Sequence, residues 1–130
     1  MTDIRYDRIG DSIIAALPEL SEEYAAEMKW WGNDEPGSHT IISNVLTPFL
    51  TKLADDRADP ELTRRAFSFV EQLANHPDMA VQELVAFSIC EELGGGDANV
   101  LRALRPHMGP ATLEWCRKVQ RFWRRKERLL

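Results

Sequence analysis

Apolar residues recur at helical spacing along almost the whole chain. Between residues 78 and 93, for example, Val81, Leu84, Val85 and Ile89 fall three or four positions apart, on one face of a helix. Apolar and polar residues never alternate over a useful length, and no Asn-Gly or Asp-Gly pair marks a hairpin turn. The pattern predicts an all-α protein, an irregular bundle of about six to seven helices in a single domain, residues 1–130.

Polar caps and helix breakers divide this pattern into separate helices. Ser21 and Ser38 are expected to cap the second and third helices, and Gly32 is expected to end the second. Pro48 removes a hydrogen bond to Asn44, which predicts a kink or a broken helix there. The stretches predicted as helices are about 3–16, 21–31, 39–55, 60–74, 78–93, 97–105 and 112–128.

The fourth and fifth predicted helices form a hairpin. Asp59 and Pro60 supply a cap and a first helical residue, and Asn75-His76-Pro77-Asp78 supplies the turn. Residues 61–95 resemble one unit of a HEAT-type helical hairpin. No second copy follows at a fixed period, so the sequence favours one bundle with a HEAT-like hairpin at its centre over a repeat array.

Composition indicates an ordinary globular protein. Of the 130 residues, 44% are apolar and 28% charged, and no apolar run is long enough to span a membrane. The N-terminal residues MTDIRYDRIGDS lack the apolar core of a signal peptide, so a cytoplasmic location is expected. Cys90 and Cys116 each lie in an apolar helical pattern, and free buried thiols are expected rather than a disulfide.

Charge is distributed unevenly around the net value of −5. Residues 117–130 contain seven Lys or Arg and one Glu, whereas the remaining residues contain nine Lys or Arg and twenty Asp or Glu. The acidic body disfavours nucleic acid and membranes and favours a basic protein partner. Two interpretations of the basic segment, residues 117–130, stay open. In the first, its helix docks on the protein by an apolar stripe. In the second, its cations contact phosphates or an acidic partner, through Arg117, Arg121, Arg124 and Arg125.

Candidate catalytic chemistry is sparse. The three histidines have no HExxH motif, paired Cys/His spacing or carboxylate triad, so no metal, cofactor or catalytic residue is predicted. His39 is interpreted mainly as a first-turn residue that bonds a nearby acid. A pair with Glu35 is disfavoured, because the chain is expected to change direction between them at Pro36-Gly37. An alternative hypothesis is a small enzyme that uses Asp34, Glu35 and His39.

The stretch WWGNDEPGSH, residues 30–39, is the main candidate for a binding surface. Two adjacent tryptophans precede a turn, and neighbouring helical residues point about 100° apart, so burial of one leaves the other partly exposed. Asp55 and Asp56 lie at the connection between the third and fourth helices. If they converged with Asp34 and Glu35, the four carboxylates would make a negative field that attracts a basic protein partner. The candidate protein-binding residues are Trp30, Trp31, Asp34, Glu35, His39, Asp55 and Asp56.

Residues 18–48 also resemble a group of small, acidic bacterial proteins of uncharacterised function. The shared pattern is Pro-Glu-Leu, then W-G-[DN]-[DE]-E-P-G-x-H, then an apolar helix with an internal proline. The matching residues are Pro18, Glu19, Leu20, Trp31, Gly32, Asn33, Asp34, Glu35, Pro36, Gly37, His39 and Pro48. Similar small acidic proteins often neutralise toxins of competing bacteria. The resemblance therefore implies an immunity-type inhibitor of a basic toxin domain. The alternative is a helical adaptor or nucleic-acid-associated protein that uses the basic C-terminal helix.

Overall fold

The computed structural model describes residues 3–129, with side chains from residue 3 to residue 123. It is 79% helical, with seven helices and no strand in the described part, which confirms the predicted all-α bundle. The helices are α1 (Ile9–Ala16), α2 (Ser21–Trp31), α3 (Ser38–Ile41, Ile42–Leu46 and Thr47–Lys52), α4 (Pro60–Ala74), α5 (Met79–Glu83, Leu84–Cys90 and Glu91–Gly95), α6 (Ala98–Leu104) and α7 (Pro110–Leu129).

Some helix ends follow the predicted capping chemistry and others do not. Pro60 is the first residue of α4, and the Asp59 carboxylate accepts a hydrogen bond from the Glu61 amide at 2.9 Å, as predicted. The predicted caps at Ser21 and Ser38 are wrong. The Ser21 hydroxyl donates to the Pro18 carbonyl because α2 continues directly from a 3₁₀ turn, and the Ser38 hydroxyl donates across to the backbone near the N-terminus.

Of the two outcomes predicted at Pro48, the broken helix is wrong, because α3 continues through the proline. Residues Ile42–Leu46 widen into a π-helix just before it. This wider turn accommodates a position without an N–H donor. Leu84–Cys90 of α5 forms a second π-helical segment, and the two segments pack against each other in the middle of the protein.

The core lies around α3 and α5. Leu46, Leu84 and Ile89 are completely buried there. Helices α1 and α2 pack against α3, helix α7 packs against α4 and α5, and α1 also contacts α4. Helix α4 and α5 fold back on each other across residues 75–78, as the hairpin prediction requires.

A disulfide joins Cys90 of α5 to Cys116 of α7, so the prediction of free thiols is wrong. Both cysteines lie on apolar helix faces, and these faces pack together and bring the two Cα atoms to 5.0 Å. That separation lies in the usual range for a disulfide. A cytoplasmic location stays a prediction, and free thiols no longer support it.

Among residues 3–129, no helix combines the length and the apolar character that crossing a membrane requires.

Candidate functional site

Trp30 and Trp31 form an aromatic corner at the end of α2. The Trp30 side chain is 76% exposed, whereas Trp31 is half-buried beneath it. The two rings meet edge to face, with centroids 5.0 Å apart and planes at 82°. The helical offset of about 100° thus presents one tryptophan to solvent and turns the other toward the protein.

Polar contacts brace this aromatic pair from below. The Trp31 indole nitrogen donates a hydrogen bond to the Glu27 carboxylate at 2.7 Å, one helical turn earlier. The side-chain amide of Asn44 donates to the same Glu27 oxygen, also at 2.7 Å. Because Asn44 belongs to α3, this oxygen ties the aromatic corner to the next helix. Trp31 is held in one orientation, and it supports the exposed ring of Trp30.

The chain then turns sharply at Gly32. This glycine has φ +63° and ψ −118°, a conformation that residues with a side chain rarely adopt. The Asp34 amide donates to the Trp31 carbonyl at 3.1 Å, and the Asp34 and Glu35 side chains are exposed beyond the turn. The turn therefore displays two carboxylates next to the aromatic pair.

The surroundings of the corner are acidic. Residues 21–35 contain five acids and one base, Lys29. Among the described residues, none of these five carboxylates forms an ion pair. We call Trp30 and Trp31, together with Glu22, Glu23, Asp34 and Glu35 of the same stretch, the Trp30 surface.

His39 does not join these acids. Its Nδ1 lies 2.7 Å from the Ser88 hydroxyl oxygen of α5, and its ring meets Tyr6 edge to face at 6.3 Å. The expected bond from His39 to a nearby acid is therefore wrong. The reason is that the first turn of α3 packs against α5, which draws the imidazole inward, whereas Glu35 lies in the exposed turn.

Asp55 and Asp56 lie just beyond the other end of α3. Both are exposed, and Asp55 accepts hydrogen bonds from the backbone amide and the guanidinium of Arg57. Helix α3 separates them from Asp34 and Glu35 by about 20 Å at 1.5 Å per residue. The acids of the two turns thus do not converge, and the described residues contain no group of three metal-ligating side chains.

Helix α7 begins against a carboxylate of α4. Glu71 accepts hydrogen bonds from the amides of Ala111 and Thr112, each at 2.9 Å, and from the Thr112 hydroxyl at 2.8 Å. Burial raises the pKa of Glu71, but the hydrogen bonds from the two amides and the hydroxyl outweigh it and leave the pKa below the ordinary value of 4.5. This cap positions the whole helix, although nothing in the sequence spacing indicates that Glu71 reaches it.

The basic helix packs against the protein through side chains of its first half. Cys116 and Val119 are buried, as the predicted apolar stripe requires, whereas Phe122 is 62% exposed. Arg117 is exposed, and Arg121 lies 3.6 Å from the carboxylate of Glu114. Arg124 and Arg125, the other two predicted contact residues, have side chains that lie outside the described part of the structure.

An apolar groove lies between α7 and α5. Its volume is about 260 Å³, and its lining is almost entirely apolar. Phe87 of α5 contributes one wall and is 51% exposed, although its position between apolar residues predicts burial. The apolar spacing gives no sign of this exposure, because Phe87 lies three positions after the buried Leu84. The lining of the groove also includes Glu91 of α5 and Trp115, Lys118, Phe122 and Trp123 of α7.

Comparison with known proteins identifies a family but no activity. A family model described as a domain of unknown function, DUF7674, matches residues 11–124. No curated protein and no solved structure matches the chain. The family match spans most of the chain, including the Trp30 surface, the disulfide and the groove. The protein therefore belongs to the DUF7674 family of domains of unknown function.

Proposed function

We propose that this protein is a non-catalytic binding protein, an immunity-type inhibitor that occupies a basic toxin domain stoichiometrically. The observation that carries the proposal is the exposed Trp30 ring, which meets Trp31 edge to face. It lies within an acidic stretch, residues 21–35, whose carboxylates form no ion pair in the described part. Tryptophan is among the residues that contribute most to binding energy at protein interfaces.

The bracing of Trp30 supports a binding role over an accidental exposure. An aromatic ring already held in one orientation loses little conformational freedom when a partner covers it. The Glu27 hydrogen bonds and the sharp turn at Gly32 supply that order before any partner arrives. The Trp30 surface therefore combines an anchor with a fixed geometry.

The charge of the Trp30 surface selects the partner. Exposed carboxylates around an apolar anchor accelerate encounter with a basic protein and penalise acidic ones. The acidic excess of residues 1–116 acts in the same direction. The resemblance of residues 18–48 to small acidic bacterial proteins supports a toxin as the basic partner.

Capture and neutralisation test the proposal. The tagged chain is incubated with an extract of the source cells at low salt, and captured proteins are identified by mass spectrometry. We expect a basic protein whose toxic activity falls linearly with added chain and vanishes near one-to-one stoichiometry. A basic partner that has no inhibited activity, or the absence of any partner, contradicts the proposal.

Matched variants connect the result to the Trp30 surface. Trp30→Ala is expected to weaken neutralisation at least about 30-fold, corresponding to a loss of roughly 2 kcal/mol. Met79→Ala removes another exposed apolar side chain, 53% exposed at the start of α5, and is expected to leave neutralisation unchanged. Equal effects of the two variants would remove the Trp30 surface from the proposal.

A helical adaptor that uses the basic C-terminal helix is the second candidate function. The observation that favours it is the exposure of Phe122 beside the cations of α7. The small-enzyme hypothesis has no comparable support, because His39 bonds Ser88 and not Asp34 or Glu35.

A further inference from the structure

We infer that a small pocket between α6 and α7 binds a free organic acid, through its carboxylate and a short apolar chain. The pocket has a volume of about 140 Å³ and is lined by residues of α6, of the turn that follows α6, and of α7. It shares no lining residue with the groove between α5 and α7, and it lies on different elements from the Trp30 surface. The inference therefore does not depend on the proposed function.

Apolar side chains form the inner part of the pocket. Met108 and Cys116 are buried there, and the half-buried Leu101 and Leu113 complete the apolar lining. The disulfide to Cys90 fixes α7 at this position. A ligand with an apolar chain would bury that chain against these side chains, and such burial favours binding.

Two arginines supply the charge of the pocket. Arg105 belongs to the turn after α6 and Arg117 to α7, and both are exposed. Among the described residues, neither guanidinium forms an ion pair, and no Asp or Glu lines the pocket. Glu114, one helical turn before Arg117, contacts Arg121 instead, at 3.6 Å. The pocket therefore presents two cations to an anion.

The lining as a whole favours a carboxylate over an inorganic anion. Guanidinium groups bind carboxylates and phosphates alike, through paired hydrogen bonds. A phosphate ion has no apolar portion to place against Met108 and Leu113, whereas an organic acid has one. The half-buried Gln120 also lines the pocket, and its side-chain amide can donate a further hydrogen bond to a carboxylate.

The turn that carries Arg105 is held in place before a ligand arrives. Leu104 is completely buried immediately before it, and the Met108 amide donates a hydrogen bond to the Arg105 carbonyl at 3.1 Å. On the other side of the pocket, the Glu71 carboxylate caps the first turn of α7. A preformed pocket reduces the ordering cost of binding.

The volume limits the ligand to a small acid. The pocket holds roughly the space of four or five water molecules, below the roughly 300–1,000 Å³ of sites for larger ligands. An acid with a chain of a few carbon atoms, such as butyrate, suits this space. The C-terminal carboxylate of a polypeptide has the same chemistry, but it carries a further chain that a pocket of this size does not hold.

Titration of the full-length protein with butyrate, followed by NMR of the backbone amides, tests the inference. We expect saturable shifts in residues 101–120 with a Kd of about 1 mM or below. Butyramide has the same shape without the charge and should bind at least tenfold more weakly. Inorganic phosphate and the peptide acetyl-Gly-Gly-Leu, which ends in a carboxylate, should also bind more weakly than butyrate.

Variants then locate the binding of butyrate. Arg105→Gln and Arg117→Gln are each expected to weaken it at least tenfold, and both should keep the helical circular-dichroism spectrum because the two side chains are exposed. Arg102→Gln is the matched control. Arg102 is also exposed and lies on α6, but it does not line the pocket, so its loss should leave the affinity unchanged.

Four results would overturn the inference. The first is the absence of saturation by butyrate in the millimolar range, and the second is equal binding of butyramide. The third is tighter binding of inorganic phosphate or of acetyl-Gly-Gly-Leu than of butyrate. The fourth is an equal loss in Arg102→Gln and Arg117→Gln, which would indicate general attraction to a basic surface.

Discussion

Glu71 is expected to contribute strongly to stability although it is only half-buried. Its carboxylate binds two backbone amides and one hydroxyl at the first turn of α7. In Glu71→Gln, one carboxylate oxygen is replaced by an NH₂ group, which faces an amide donor and cannot accept its hydrogen bond. The variant also removes a negative charge from a helix N-terminus.

The size of the effect follows from these contacts. A hydrogen bond to a charged group is worth about 1.5–3 kcal/mol, and the charge at the helix terminus adds about 0.3–1 kcal/mol. We therefore expect Glu71→Gln to lower the free energy of unfolding by about 2–3 kcal/mol. For a chain of this length, that loss corresponds to a decrease in Tm of roughly 6–10 °C.

The pH dependence of this loss has a definite sign. Because the pKa of Glu71 in the folded protein lies below its ordinary value of 4.5, the carboxylate stabilises the fold above that pH. The contribution disappears as the pH falls through the lower pKa of the folded state. The difference in Tm between wild type and Glu71→Gln should thus be constant near neutral pH and should shrink below about pH 4.5.

Thermal unfolding followed by circular dichroism measures both effects. Glu114→Gln is the matched control, because it removes the same charge near the start of α7 from a side chain that is 51% exposed. It should change stability by less than about 0.5 kcal/mol. A similar decrease in Tm for the two variants, or a Glu71→Gln effect that grows in acid, would refute the reasoning.

Three further changes test other parts of the fold. Reduction of the disulfide between Cys90 and Cys116, 26 residues apart, should lower the free energy of unfolding by about 3–4 kcal/mol, measured by chemical denaturation. A thiol assay on the untreated protein should find no free cysteine, and two free thiols would contradict the disulfide. Gly10→Ala places a methyl group against the Tyr24 ring and should cost about 1–3 kcal/mol, and an unchanged midpoint in urea would contradict it. Gly32→Ala should lower the free energy of unfolding by about 1–3 kcal/mol, because the backbone at residue 32 has φ +63°, although an added methyl group would meet no neighbouring atom. An unchanged Tm would contradict this expectation.

Predictions from sequence succeeded where the determining interactions are local. Asp59 and Pro60 begin α4, and Gly32 ends α2, because caps and breakers act within a few residues. The apolar periodicity likewise identified the seven helices. Such local signals specify helices without specifying which faces meet.

Predictions failed where the outcome depends on packing between helices. Cys90 and Cys116 pair because α5 and α7 pack against each other, which their spacing does not reveal. His39 bonds Ser88, 49 positions away, instead of an acid in its own turn. Glu71 caps a helix 40 positions later for the same reason.

The most direct test of the central claim is calorimetric titration of the captured basic partner into three forms of the protein. These are wild type, Trp30→Ala and Met79→Ala. We expect the partner to bind wild type with one-to-one stoichiometry. Trp30→Ala should weaken this binding at least about 30-fold, and Met79→Ala should leave it unchanged. Both variants should retain the wild-type Tm within about 2 °C. Equal affinity of the partner for wild type and Trp30→Ala would contradict the claim that the Trp30 surface is the binding site.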